Sequence, residues 1–139
     1  MNRTDFQLLA DVRIEESRAL LNLPTPMPDG AYYLAGYAVE CALKACICLK
    51  YAQYDWPEKK FVADSHTHDL LDLVKMAGLA SQKVTDATSD IAFSKNWQLV
   101  KDWSEQSRYK RYSLVEAQMM FDAVDNNTNG VLSWIKARW

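Results

Sequence analysis

Residues that interrupt helices are scarce in this sequence. Its 139 residues include four glycines and four prolines, and three of the prolines fall in one short segment, LPTPMPDG. No segment alternates polar and apolar residues over more than a few positions, so strands are not expected. The hydrophobic fraction of 49% is enough for one compact domain with a real core. We therefore predict a single all-α domain over residues 1–139.

The chain also lacks a strong charge of either sign and a cysteine framework. Its formal net charge of -2 gives no global attraction to nucleic acid, so any site for a polyanion must be local. The three cysteines, an odd number, all lie in one apolar stretch, which fits reduced thiols. The N-terminal residues are too charged for a signal peptide, and Glu40 and Lys44 interrupt the longest apolar stretch. We expect a soluble, unexported, cytoplasmic protein without a membrane span.

The spacing of apolar residues predicts an up-and-down bundle of about five or six helices. The predicted helices run from Thr4 or Asp5 to about Leu21, from about Asp29 to Tyr54, from Leu70 to a stop at Gly78, across Ser81–Trp103 as one or two helices with a kink near Ser89, and from a Ser113 cap to Ile135. The mixed segment YDWPEKKFVADSHT predicts a loop. Because Glu116 completes a capping box with Ser113, we expect the last helix to start there and to be long.

Two charged residues stand inside the most apolar run, AYYLAGYAVECALKACICL. Burying a lone charge costs several kcal/mol or more, so Glu40 and Lys44 must either pair or face a functional groove. Glutamate four residues before lysine is the favourable order for an ion pair on a helix, and Tyr33 and Tyr37 share the same face. Both interpretations stay open at this point: a partly buried ion pair between packed helices, or the wall of a groove.

Cationic and aromatic residues alternate in a second segment, KDWSEQSRYKRY. The cations are Lys101, Arg108, Lys110 and Arg111, and the aromatic residues are Trp103, Tyr109 and Tyr112. Guanidinium groups bind phosphate and aromatic rings stack on bases, so this segment is a candidate site for a nucleotide or RNA. The alternative is a solvated connection into the last helix.

The segment DNNTNG resembles the first half of a calcium loop. Asp125, Asn127 and Asn129 occupy alternate positions, but the position that needs a bidentate glutamate is Lys136, which would repel the ion. An exposed polar helix face or a local break is favoured.

The segment SHTHD places His66 and His68 beside Asp64 and Asp69, a composition that zinc could use. A helix start is favoured over metal ligation or a catalytic histidine, because an acidic residue just before two leucines is typical of a helix N-terminus. We expect neither a metal nor a cofactor.

Three blocks in this order resemble a HEPN domain (higher eukaryotes and prokaryotes nucleotide-binding). They are GYAVECALKA, SHTHDLLDL and NWQLVKDWSEQSRY, the last followed by a helix closing in VLSWIK, and together they cover about Ala31 to Ile135. The resemblance implies a helical bundle, commonly paired as a homodimer. It also implies a place in prokaryotic toxin–antitoxin pairs, in defence systems or beside small nucleotidyltransferases. Many members of the family are metal-independent ribonucleases.

The ribonuclease signature of that family, an arginine followed a few residues later by a histidine, is absent from this chain. In its place stands RYKRY, which offers phosphate-binding arginines but no group that titrates near neutral pH. We therefore expect a binding module without catalytic residues rather than an enzyme. The residues assigned to ligand binding are Arg108 and Arg111 for phosphate, Lys44 with Glu40 as helpers, and Tyr109, Tyr112 or Trp103 for stacking on a base.

Two other functions remain as alternatives. One is a ribonuclease that uses Arg108 together with His66 or His68, delivered from another helix or from a second subunit. The other is a purely protein-binding subunit, whose partner would be a nucleotidyltransferase encoded next door.

Overall fold

The computed structural model describes residues 1–52 and 59–139. All regular secondary structure in these residues is helical, which confirms the all-α prediction. The helices are α1 (Arg3–Leu21), α2 (Pro28–Ala52), α3 (Lys59–Asp64), α4 (Leu70–Met76), α5 (Ala80–Ser89), α6 (Ile91–Val100), α7 (Leu114–Asp125) and α8 (Val131–Lys136), with a 3₁₀ turn at Glu105–Tyr109 before α7. The described part of the chain thus contains eight α-helices, more than the five or six expected.

Helix α2 is the centre of the bundle. The alanines Ala35, Ala38 and Ala42 are completely buried along it, and such small side chains allow neighbouring helices to approach closely. The Ser17 hydroxyl of α1 donates a hydrogen bond to the Ala31 carbonyl at 2.7 Å. Contacts with α1, α4, α7 and α8 surround α2, so its few polar side chains can reach solvent only where these neighbours leave a gap.

The start of α1 differs slightly from the prediction. The helix begins at Arg3, and its cap is Asn2 rather than Thr4 or Asp5. Asn2 and Asp5 form a reciprocal capping box, in which each side chain accepts the other's backbone N–H. The proline-rich connection to α2 is confirmed, and Pro28 opens α2 at the position where a helix tolerates proline.

The connection between α2 and α4 is only partly a loop. Residues 59–64, predicted as loop, form the short helix α3, while the predicted end of the second helix at Tyr54 lies outside the described residues. The predicted helix start in the segment SHTHD is confirmed: Asp69 caps α4 by accepting the Asp72 N–H at 3.0 Å. Gly78 follows the end of α4 with a φ of 74°, a conformation that favours glycine.

The region from Ser81 to Trp103 contains two helices, as the alternative with a kink near Ser89 anticipated. The break is at Asp90, which ends α5 and caps α6 by accepting the Phe93 N–H at 3.0 Å. One extended residue therefore changes the direction of the chain, and its carboxylate stabilises the new helix.

The prediction of one long last helix from Ser113 to Ile135 was wrong. The capping box of Ser113 and Glu116 is present, but α7 ends at Asp125 and α8 begins at Val131. In the turn between them, the Asn126 side chain accepts the backbone N–H groups of Thr128 and Asn129 at 2.9 and 2.8 Å. Such asparagine turns compete with helix, which explains how a continuous apolar pattern can span a break.

The polar side chains of this turn are used to join helices. Asp125 accepts from Arg18 of α1 at 3.0 Å, and Asn129 donates to Asp90 at 2.7 Å. Of the two alternatives that were favoured over a calcium loop, an exposed polar helix face and a local break, the segment forms the break.

Helix α2 is long and apolar enough, by length and composition, to cross a membrane. The stretch Pro28–Tyr51 has a mean hydropathy of 1.3 in its most apolar part, and 61% of that part is buried inside the fold. Burial of this extent is typical of a core helix in a packed bundle. The absence of a membrane span stays a prediction.

Candidate ligand-binding face of helix α2

Four side chains of α2 form one polar face, which we call the α2 polar face: Tyr33, Tyr37, Glu40 and Lys44. Their spacing of three to four residues places them along one side of the helix, as expected from the sequence. The neighbours that border this face are α1, the residues just before α4, and the 3₁₀ turn at Glu105–Tyr109.

Glu40 is the most deeply buried charged residue of this face, with 2% of its surface exposed. Its Oε1 atom accepts a hydrogen bond from Lys44 Nζ at 2.8 Å, which confirms the predicted pair. The same carboxylate lies 2.9 and 3.0 Å from His68 Nδ1. Two side chains, Lys44 and His68, are thus joined to one buried carboxylate, which removes the cost of an unpaired buried charge.

The contact between His68 and Glu40 was missed by sequence reasoning. An ionised carboxylate can only accept hydrogen bonds, so His68 Nδ1 carries the proton that it donates and Nε2 is the other ring nitrogen. The His68 side chain is 46% exposed. The sequence contained one indication that Glu40 has a second partner. A carboxylate has about four acceptor positions, and Lys44 alone does not fill them.

The two tyrosines of the face lie between α1 and the 3₁₀ turn. Their rings are 6.0 Å apart, and the Arg13 guanidinium of α1 lies over the Tyr37 ring at 5.8 Å. Burial raises the pKa of both phenols, while the positive charge of Arg108 acts to lower the pKa of Tyr33. Both phenols are therefore neutral hydroxyl groups at neutral pH, able to donate hydrogen bonds.

Trp103 does not belong to the ligand-facing surface that was predicted for it. Its side chain is 2% exposed, and its ring lies against Gly36 and 5.7 Å from the Tyr33 ring. A Cβ atom at position 36 would overlap the indole, so only glycine admits the ring this close to the backbone of α2. Stacking on a base would require Trp103 to leave the core.

Arg111 and Tyr112 join the end of the Lys101–Tyr112 segment to the start of α2. The Tyr112 ring stacks on Tyr32 with centroids 3.7 Å apart, and the Tyr112 N–H donates to Asp29 at 2.6 Å. Arg111 pairs with the same aspartate at 3.4 Å, although its side chain is 96% exposed. Burial raises the pKa of Tyr32 to about 12. One face of the Tyr112 ring is therefore occupied, and Arg111 already has an anionic partner.

Arg108 and Tyr109 form an exposed pair of a cation and an aromatic ring. Both residues are exposed, Tyr109 to 74%, and the Arg108 guanidinium lies 5.2 Å from the centre of the Tyr109 ring. No carboxylate within residues 1–52 and 59–139 lies within ion-pair distance of Arg108. The pKa of Glu105 is lowered, first by a hydrogen bond from Gln106 and further by the charges of His68 and Arg108. Arg108 and His68 therefore act on the same side of the bundle.

In the part of the chain that the structure describes, no group of three or more His, Cys, Asp or Glu side chains is placed so that it could hold a metal ion. Burial raises the pKa of Cys41 to about 12 and of Cys46 to about 11, so both are neutral thiols in the core.

Comparison with known protein families, with curated proteins and with solved structures finds no match to this chain.

Proposed function

We propose that the α2 polar face and the adjacent Arg108 bind single-stranded RNA through its phosphates. The observation that carries this proposal is the exposed Arg108–Tyr109 pair, a guanidinium without a described carboxylate partner beside an accessible ring. A guanidinium binds phosphate through directed, charge-assisted hydrogen bonds, and a neighbouring ring can stack on a base of any sequence. Of the aromatic residues predicted to stack, Tyr109 is the accessible one.

The length of the face favours RNA over a single nucleotide. Lys44 lies eleven residues after Tyr33, the residue of α2 whose pKa Arg108 influences, which corresponds to about 16 Å along a helix. One phosphate cannot contact both Arg108 and Lys44 across this distance. A short single strand, with phosphates at regular intervals, can contact Arg108 at one end and Lys44 at the other.

The weak overall charge determines how such binding should behave. With a formal net charge of -2, the protein provides no long-range attraction, so affinity depends on a few local cations. Each phosphate that is neutralised releases counterions, and the logarithm of affinity for a single strand should fall by about 0.7 per contact for each logarithmic unit of salt.

The test is retention of labelled single-stranded RNA on a gel, in chelator, across a range of salt concentrations. Arg108→Ala should weaken retention about tenfold and lower the salt slope by about one contact. Lys95→Ala, which removes an exposed cation from α6, is the matched control and should leave both unchanged. Equal retention by Arg108→Ala and the unmodified protein would reject the proposal.

A second candidate function, a metal-independent ribonuclease, is favoured by the contact between His68 and Glu40. A buried carboxylate that holds Nδ1 leaves Nε2 of the imidazole for proton transfer, the arrangement that general base catalysis uses. In this reaction the histidine removes the proton of a ribose 2′-hydroxyl, and the oxygen attacks the adjacent phosphorus. The bond to the 5′-oxygen breaks, the leaving oxygen takes a proton from water, and a 2′,3′-cyclic phosphate remains. Arg108 would stabilise the charge on phosphorus.

His66 provides the matched control for this second function, because it is an exposed histidine two residues earlier in the same segment. In the presence of chelator, His68→Ala should abolish cleavage of RNA, whereas His66→Ala should cleave RNA as the unmodified protein does. Retention of uncut RNA by the unmodified protein would reject the ribonuclease and keep the binding module.

We also propose the assembly that the resemblance to HEPN domains implies: a homodimer in a prokaryotic toxin–antitoxin or nucleotidyltransferase-associated system. Light scattering on the purified protein tests the dimer. A nucleotidyltransferase gene beside this one, together with complex formation and no RNA retention, would instead support the protein-binding alternative.

A further inference from the structure

A cleft of about 470 Å³ opens at the Lys44 end of the α2 polar face. It lies between α1, α2 and residues 65–68, which precede α4. Its volume falls within the range of about 300 to 1,000 Å³ that is typical of pockets for small organic ligands. Arg108 is not among the residues that line it.

The lining of the cleft has two chemically different parts. Phe6, Ile47 and Cys48 contribute apolar surface, and Lys44 contributes N–H donors and a positive charge beside the Glu40 carboxylate. Pockets that recognise one small molecule usually combine a mostly apolar wall with a few fixed polar groups. This combination suits a ligand that itself has an apolar part and an anionic part.

Glu40 fixes the polar part in place. Its buried carboxylate is bonded to Lys44 Nζ and to His68 Nδ1, so both side chains are oriented before any ligand arrives. An ammonium group has three N–H donors, and Glu40 takes one of them. The remaining donors of Lys44 are the groups left for an anion.

We propose that this cleft binds a small organic anion in which a phosphate or carboxylate group is attached to an apolar ring. The anionic group contacts Lys44, and the ring packs against Phe6, Ile47 and Cys48. The proposal does not depend on Arg108 or on RNA binding.

Cys48 makes the cleft directly measurable. It lines the cleft and is half-buried, whereas Cys41 and Cys46 are 1% and 4% exposed. A thiol reagent should therefore modify Cys48 first, and a ligand in the cleft should slow that modification. Cys48→Ser identifies the signal, because it should remove the fast phase.

The experiment uses 1-naphthyl phosphate as the probe, with 1-naphthol and inorganic phosphate as its two halves. We expect 1-naphthyl phosphate to protect Cys48 in a saturable manner, with a dissociation constant at least about tenfold below that of either half. Lys44→Gln keeps a hydrogen-bond donor for Glu40 but removes the charge, and should raise the dissociation constant about tenfold. Lys50→Gln, on the same helix and exposed, should leave it unchanged.

Arg108→Ala separates this proposal from RNA binding. It should weaken RNA retention about tenfold and keep protection by 1-naphthyl phosphate. Absence of protection, or equal protection by 1-naphthol, would overturn the cleft proposal while leaving RNA binding by Arg108 intact. Protection that Lys44→Gln does not weaken would also overturn it.

Discussion

Arg108 and Arg138 both lie over aromatic rings, and their surroundings differ. Arg138 lies 4.5 Å from the centre of the Trp134 ring, and its guanidinium also donates to the Trp134 carbonyl at 2.6 Å and to Asp86 at 2.9 Å. Arg108 lies 5.2 Å from the centre of the exposed Tyr109 ring, without a carboxylate partner among the described residues.

The comparison shows that a cation beside an aromatic ring does not by itself indicate a ligand site. At Arg138 the donors are already used inside the protein, and the Trp134 N–H donates to the same Asp86 at 2.8 Å. At Arg108 the donors still face solvent, so a phosphate can replace water without breaking a protein contact. The first pair stabilises the fold, and the second is available for a ligand.

The largest effect should come from Trp103, in contrast to Tyr109 of the same Lys101–Tyr112 segment. Trp103→Ala removes a buried ring that packs on Gly36, and should lower the free energy of unfolding by about 3–5 kcal/mol. Tyr109→Ala should change it by less than about 0.5 kcal/mol, because that ring is exposed. Urea denaturation measures both. Equal effects would mean that Trp103 is not a core residue.

A smaller effect is expected at Glu40, which holds Lys44 as Asp86 holds Arg138. Glu40→Ala leaves Lys44 and His68 without their shared acceptor, and should lower the free energy of unfolding by about 2 kcal/mol. The value lies below the range of about 3–5 kcal/mol for a fully buried pair, because both partners can turn toward water. Glu105→Ala is the control and should cost less than about 0.5 kcal/mol. A stable Glu40→Ala protein would show that the carboxylate does not organise the face.

Much of the fold follows from local sequence signals, but the packing partners do not. The Ser113 capping box, the break near Ser89 and the pairing of Glu40 with Lys44 are all set within a few residues, and the structure confirms them. The helix at 59–64 was missed, and the break after Asp125 was left as one of two alternatives, because short polar segments favour helix and turn almost equally.

The candidate site was harder to predict because its contacts join distant parts of the chain. Trp103 was expected to face a ligand, but Gly36, far away in the sequence, provides the gap that buries it. The contact between His68 and Glu40 joins residues 28 positions apart. No local pattern contains such information, and only the satisfaction of a buried carboxylate pointed to a missing partner.

The smallest expected effect concerns pH at the Arg138 pair. Hydrogen bonds from Trp134 and Gln82, together with the charge of Arg138, lower the pKa of Asp86. A carboxyl group whose pKa is lower in the folded protein stabilises it above the unfolded pKa, and this contribution is lost as pH falls through the folded pKa. Asp86→Asn should therefore lower the urea midpoint at neutral pH and lose less stability than the unmodified protein below about pH 4.

Asp102→Asn is the control for this measurement, since the Asp102 side chain is 75% exposed and pairs with the neighbouring Lys101. Its stability should follow that of the unmodified protein at every pH. Parallel pH profiles for Asp86→Asn and the unmodified protein would mean that Asp86 makes no contribution specific to the folded state.

The most direct test of the difference between the two arginines measures RNA retention and the urea midpoint on Arg108→Ala and Arg138→Ala side by side. Both variants remove one guanidinium, so the change in net charge is the same. We predict that Arg108→Ala loses about tenfold in RNA affinity at an unchanged midpoint, while Arg138→Ala lowers the midpoint and, where folded, retains RNA as the unmodified protein does. RNA affinity that falls equally in both variants, or in neither, would contradict the assignment of Arg108 to the ligand.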